Sequence, residues 1–147
     1  MNNWSYLDKE ITELSQLPEG AYGFIYKIQN IMNGKFYIGK KNLHSERNIK
    51  LGKKALAART DKRASKKKKV IKESDWKIYH GSEEDLQKDI ETYGHDSICR
   101  TILHICYSKT ALTYQEVKWQ MITECLETEL SYNKNILGKF YKNLAIS

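Results

Sequence analysis

The sequence predicts an α+β domain, a small antiparallel three-stranded sheet flanked by helices, and three observations predict it. Two runs rich in aromatic and β-branched residues, Tyr22 to Asn30 and Lys35 to Gly39, flank an Asn33-Gly34 turn signal, the pattern of a β-hairpin. A third such run, Ser97 to Cys106 (SICRTILHIC), supplies one more strand. Around them lie stretches with helical spacing, the strongest from Ser108 to Glu129.

Taken in order, Asn3 to Gln16 reads as a short N-terminal helix, because Trp4, Leu7, Ile11 and Leu14 recur at helical intervals before the Pro18-Glu19-Gly20 breaker. In the hairpin, alternation puts Tyr22, Phe24, Tyr26 and Ile28 on one face. A loop of two residues (Asn33, Gly34) or four (Ile31 to Gly34) brings Tyr37 to the face that carries Tyr26, so two phenols converge. Asn42 to Ala58 reads as a helix interrupted near Gly52. Ser82, with Asp85 three residues later, is the expected cap of a helix from Glu83 to Thr92 that Gly94 stops. On the Ser108 to Glu129 helix, Leu112, Trp119, Ile122 and Leu126 form the inner stripe, with Glu116 on its flank.

Size and composition set the limits. A chain of 147 residues is expected to be one domain, here a core over about 21–138 with a basic insertion over about 48–72 and the helical segment 3–16. Apolar content of 40% with eight glycines and one proline argues against a disordered chain. No run of about 18 apolar residues occurs, and the MNNWSYLDKE start lacks a signal-peptide pattern, so the expectation is a soluble cytoplasmic protein without a membrane partner. The three cysteines, Cys99, Cys106 and Cys125, have no CxxC spacing, which argues against a disulfide framework or a structural zinc.

Charge is segregated. Residues 40–72 hold 14 Lys or Arg against Glu46 and Asp61, while the other 114 residues carry 11 basic and 16 acidic side chains. A basic block behind an acidic body is an electrostatic footprint for nucleic acid. Lys40, Lys41, Arg59, Arg63, Lys66, Lys67 and Lys68 are its candidate phosphate contacts.

Gly23-Phe24-Ile25-Tyr26, followed ten residues later by Tyr37-Ile38-Gly39 and then Lys40-Lys41, resembles the two namesake motifs of the GIY-YIG nucleases, with GFIY standing for the plain GIY. The resemblance covers roughly residues 21–138 and is closest to small freestanding phage homing-type (Seg-like) endonucleases. It implies a GIY-YIG-type α/β sandwich and a DNA endonuclease using one Mg²⁺ or Mn²⁺ per site, located in the host cytoplasm if the gene is a phage's. Carried over residue by residue, it makes Tyr26 the general base and Tyr37 its helper. Arg47, ten residues after Tyr37 and on a helix, becomes the phosphate clamp, with Arg59 and Arg63 as rivals. Glu116 becomes the metal ligand, and Asn133 the family's asparagine, with Asn135 as fallback. His80 becomes a phosphate-binding histidine ahead of the capped helix.

The chemistry suits those residue types. A guanidinium grips two phosphate oxygens at once. One carboxylate suits a hard cation that keeps several waters. A phenol can act as base if nearby cations, Lys40, Lys41 and the metal, lower its pKa. Two alternatives stand beside this reading. One is a non-catalytic basic protein whose tyrosines stack on bases. The other is an Asp, Glu-x-Lys nuclease core built on Glu116-Val117-Lys118, which would require that segment to be a strand. The span after Asn135 is too short for a separate DNA-binding domain, so recognition is expected from the basic block, from a homodimer or from a specificity partner.

Overall fold

The computed structural model describes residues 2–58 and 67–143. They divide into two compact units, Met1–Leu43 with Asp75–Ser147, and His44–Ser74.

The first unit is built on a five-stranded sheet. Its strands are β1 (Trp4–Tyr6), β2 (Lys9–Ile11), β3 (Gly23–Asn30), β4 (Phe36–Asn42) and, numbered after the two strands of the second unit, β7 (Ile98–Cys106). The order is β2-β1-β7-β3-β4, with β1 parallel to β7 and the other neighbours antiparallel. The α+β class stands, but the sheet has five strands where three were expected. The two extra strands come from the segment read as a helix. Trp4 and Ile11 are cross-strand partners around a turn at Leu7 and Asp8, both in the left-handed region with φ of 50° and 66°. Their shared burial is therefore that of one hairpin face, and only a single 3₁₀ turn, Leu14–Gln16, comes after it.

The β3–β4 hairpin closes through the four-residue loop, with the Asn30 N–H donating to the Lys35 carbonyl and the Gly34 N–H to the Asn30 carbonyl. Phe24, Tyr26 and Ile28 pack on one face with Trp4, Leu43, Trp76, Ile98 and Ile102. Tyr22 departs from the expected alternation and packs on the opposite face. The first face is covered by Leu86 and Ile90 of α2 (Glu84–Tyr93). Its cap is the Glu83 carboxylate on the Asp85 N–H, one residue later than the expected Ser82, and Gly94 ends it at φ 88°. The second face, around Ile25 and Ile38, is covered by Leu112 of α3 (Lys109–Ile122), which Ser108 caps. This helix ends seven residues before Glu129, so Ile122 is exposed while Leu126 packs in a separate cluster with Cys125 and Ile136. The tail makes a short ladder of β8 (Asn135–Ile136) with β9 (Phe140–Tyr141).

The second unit is a two-stranded antiparallel ribbon, β5 (His44–Lys50) and β6 (Lys67–Glu73), with α1 (Lys53–Ala58) after the first strand. The expected helix before Gly52 is thus a strand. Among the described residues no helix is long and apolar enough to cross a membrane.

Candidate active site

The site forms along the outer edge of β4, the last strand of the sheet. An edge strand leaves alternate N–H and C=O groups without a ladder partner. Here Phe36, Ile38 and Lys40 are met from the C-terminal half of the chain. The Phe36 N–H donates to the Leu130 carbonyl (2.8 Å), and the Phe36 carbonyl accepts from the Tyr132 N–H (2.7 Å). At Ile38 a side chain takes over the role of a strand: its N–H donates to Asn133 Oδ1 (2.9 Å), and its carbonyl accepts from Asn133 Nδ2 (2.9 Å). Gln120 Nε2 donates to the same carbonyl (3.2 Å). At Lys40 the backbone N–H meets the Glu116 carboxylate, carried on α3.

This edge forms one wall of a polar cleft of about 310 Å³, lined by Tyr37, Glu83, Glu116, Gln120, Asn133 and Lys134 among others. Four sequence-selected residues, Tyr37, Glu116, Asn133 and its fallback Asn135, therefore share one cavity. Tyr26 stands behind Tyr37, 1% exposed, with their ring centroids 6.1 Å apart. A register shift in the β3–β7 pairing falls between Ile25 and Tyr26. Gly39 lies opposite Tyr26, and a Cβ there would meet Tyr26 Oη at 2.5 Å and Tyr37 Cε2 at 2.9 Å. The glycine of the second motif thus makes room for two phenol rings.

Burial dominates the electrostatics. It pushes the Tyr26 phenol well above its ordinary value, helped by neighbouring Tyr79 and Tyr37. Tyr37 is pushed up to about 12 by burial and by Tyr79 and Glu116, against a hydrogen bond from Ser82. Burial also raises Glu116, opposed by the Lys40 charge and N–H. The expected lowering of the tyrosines by Lys40 and Lys41 is overturned, because both cations are engaged elsewhere. Lys40 Nζ lies 3.1 Å from Thr113 Oγ1 and 4.0 Å from Glu116. Lys41 Nζ pairs with Asp75 at 2.6 Å and sits 4.0 Å above the Tyr79 ring.

The remaining candidates of the first unit are His80 and Asn135. His80 is held by the Ile78 carbonyl, Asn2 and His95, and burial beside Arg100 lowers its pKa, favouring the neutral ring. It is not among the residues lining the cleft. Asn135 lines the cleft as well, but it is exposed and caps a turn through the Gly138 N–H. Arg47 is exposed on β5, in the second unit, so it rides on a strand and not on the expected helix. Lys68 is exposed on β6. The backbone of Lys67 pairs with Lys50 but its side chain, like Arg59, Arg63 and Lys66, lies outside the described residues.

Sequence reasoning missed three contributors. Gln120 was invisible because a glutamine on a helix flank carries no motif. Tyr79 stacks edge-on against Tyr26 with centroids 5.9 Å apart, and is placed there by Arg100. That buried guanidinium donates to the Tyr79, Lys77 and Asn2 carbonyls while stacking on Trp4. An arginine in a strand rich in isoleucine was the available signal.

Among the described residues no group of three or more His, Cys, Asp or Glu could hold a metal alone. Of the two carboxylates on the cleft wall, Glu83 is taken up by Lys134 and the Asp85 N–H, and Glu116 fits a hard cation such as Mg²⁺ or Mn²⁺, which takes one or two protein carboxylates and keeps waters or substrate phosphate for the rest. Glu116 lies in a helix, so the Asp, Glu-x-Lys alternative, which needs a strand there, is excluded.

No curated protein and no solved structure matches the chain significantly. A family profile described as "Putative endonuclease segE, GIY-YIG domain" matches residues 4–141, nearly the whole length and every element of the first unit named above. With GFIY and YIG on the paired strands β3 and β4 and the Glu116 helix against their edge, the chain belongs to the SegE-type GIY-YIG endonuclease domain family, whose nuclease character implies a DNA substrate.

Proposed function

We propose that this protein is a divalent-metal-dependent DNA endonuclease whose chemistry takes place in the cleft at the β4 edge. The observation that carries the reading is the meeting of Tyr37, Glu116 and Asn133, from a strand, a helix and a C-terminal loop, in one polar cavity.

Glu116 would hold the metal, one Mg²⁺ or Mn²⁺. When bound, the ion would polarise the phosphoryl oxygens and neutralise the leaving oxygen. Removing a proton from the attacking water falls to the phenol pair. Tyr37 lines the cleft and Tyr26 is buried behind it, which supports first contact with water for Tyr37 and a supporting place for Tyr26, the reverse of the order the family resemblance implies. Asn133 is a positioning residue in this scheme. With both ends of its amide on Ile38, it fixes the strand between Tyr37 and Gly39. Arg47 is the proposed phosphate clamp, with Arg59 and Arg63 as alternatives, since a guanidinium stays charged and can bind two oxygens together.

The test is nicking of supercoiled plasmid in Mg²⁺ against EDTA, for wild type, Glu116→Ala, Tyr37→Phe and Tyr26→Phe. Metal-dependent nicking should fall at least a hundredfold in Glu116→Ala and Tyr37→Phe, with gel-shift binding retained. Wild-type protein that binds duplex but never cuts it would instead favour a non-catalytic DNA-binding protein, for which the basic composition of residues 40–72 also speaks.

A further inference from the structure

The register of the ribbon sorts its side chains into two unlike faces. Opposed residues of an antiparallel pair share a face, and faces alternate along each strand. One face carries Ser45, Arg47 and Ile49 opposite Lys72, Val70 and Lys68, without a single carboxylate. The other carries His44, Glu46, Asn48 and Lys50 opposite Glu73, Ile71 and Lys69, and there Glu46 pairs with Lys69 at 3.2 Å. Every β5 side chain from Ser45 to Lys50 is exposed, as are Lys68 and Lys72. Exposed apolar groups, Ile49 at 40% and Ile71 at 58%, accompany them. Residues 44–74 together hold twelve Lys or Arg against three Asp or Glu.

We propose that this ribbon lies in the major groove of duplex DNA with its carboxylate-free face inward, and supplies the binding and sequence preference of the enzyme. The inference rests on the nuclease reading only in taking duplex DNA as the partner. Shape supports it. The major groove, about 12 Å wide, admits a two-stranded ribbon, whereas the major groove of an RNA duplex is too narrow to be read. Alternate residues on a strand are about 6.7 Å apart. Two base-pair steps span about 6.8 Å, so successive inward side chains stay in step with the duplex. Charge then chooses the face, because the opposite one would press Glu46 and Glu73 toward phosphates. Lys68 and Lys72 contact phosphates. Ser45 meets base edges, and the methyl groups of Ile49 and Val70 meet thymine methyls. Arg47 lies on the same face but is left intact in the test, because it is also the proposed clamp of the scissile phosphate.

The experiment measures binding of full-length protein in EDTA to a pool of 30-base-pair duplexes of random sequence. It compares wild type with K68Q/K72Q on the inward face and K50Q/K69Q on the other, which lose equal charge. The inward pair should weaken binding at least tenfold and reduce the slope of log affinity against log salt by about two, while the outward pair changes affinity less than threefold. Methylating guanine N7, which points into the major groove, should weaken wild-type binding about tenfold, and methylating adenine N3 in the minor groove should not. Sequences selected by Ile49→Ala should differ from those selected by wild type at one or two positions. Equal losses from the two lysine pairs, or indifference to N7 methylation, would overturn the proposal. Because no measurement requires cleavage, face-independent binding alongside metal-dependent nicking overturns the groove reader alone. Face-selective binding without nicking overturns the nuclease reading alone.

Discussion

At the scale of single residues, the cleft sets a difficult titration problem. A phenol held near pKa 12, as Tyr37 is, leaves a phenolate fraction of roughly 10⁻⁵ at pH 7. If phenolate is the active form, that fraction grows tenfold for each pH unit until the pKa is approached. Glu116 works from the acid side: its raised pKa means that it takes up a proton at a higher pH than an ordinary glutamate, and a protonated carboxyl does not hold a cation. The expected plot of log kcat/KM against pH at one fixed, subsaturating Mg²⁺ concentration therefore climbs with a slope near one from pH 7 to pH 9, without a plateau. It steepens toward two at the acid end, where both groups must lose a proton. A flat profile from pH 6 to 9 would remove both tyrosines as bases. The phenol pair itself was legible, because strand alternation fixes which side chains share a face. Its electrostatics were not, because Thr113 and Asp75, which engage Lys40 and Lys41, come from distant stretches with no motif of their own.

At the scale of elements, Asn133 behaves as a strand one residue long. Losing its amide would leave an N–H and a C=O of Ile38 without their present partner in a buried place, although Gln120 would still serve the carbonyl. Leaving a buried group unsatisfied costs about 1 to 3 kcal/mol. Asn133→Ala should lower stability by that amount in urea unfolding at unchanged m, while Asn135→Ala, at an exposed turn, should stay within about 0.5 kcal/mol. Equal and small effects for the two would mean that the β4 edge does not depend on this bracket. Elements with an explicit signal were readable: the Asn33-Gly34 turn and the Gly94 stop lie where expected, and the Ser82 cap is off by one residue. β1 and β2 were not. A spacing of seven from Trp4 to Ile11 equals two turns of helix, and it also joins partners across a hairpin whose turn, Leu7-Asp8, lacks the usual glycine. The basic ribbon was missed for a related reason, since Ile49, Val70 and Ile71 are too few apolar marks to reveal a period.

At the scale of the whole molecule, the fold has an insertion with its own charge. Among the described residues, the buried members of the hydrophobic clusters all come from the first unit. The two points where the chain leaves and returns are anchored in that unit: Leu43 and Trp76 are fully buried, and Lys41 pairs with Asp75 between them. His44 and Glu73 are cross-strand partners, so the ends of the insertion lie about 5 Å apart, a gap that a tight turn can close. A two-stranded ribbon is at best marginally stable by itself, so it adds little to the stability of the rest. Replacing residues 45–72 with Asn-Gly should therefore leave a chain that unfolds cooperatively, with its thermal midpoint lowered by no more than about 5 °C. The excision removes twelve Lys or Arg and two acids, taking the formal net charge from +7 to −3. The shortened protein should pass through a cation exchanger at pH 7.5 and bind an anion exchanger, and its duplex affinity should fall by orders of magnitude as its salt dependence flattens. Loss of the cooperative transition would show that the ribbon contributes to folding, and duplex affinity retained at +7-like strength would mean that DNA is held by the acidic body and not by the insertion.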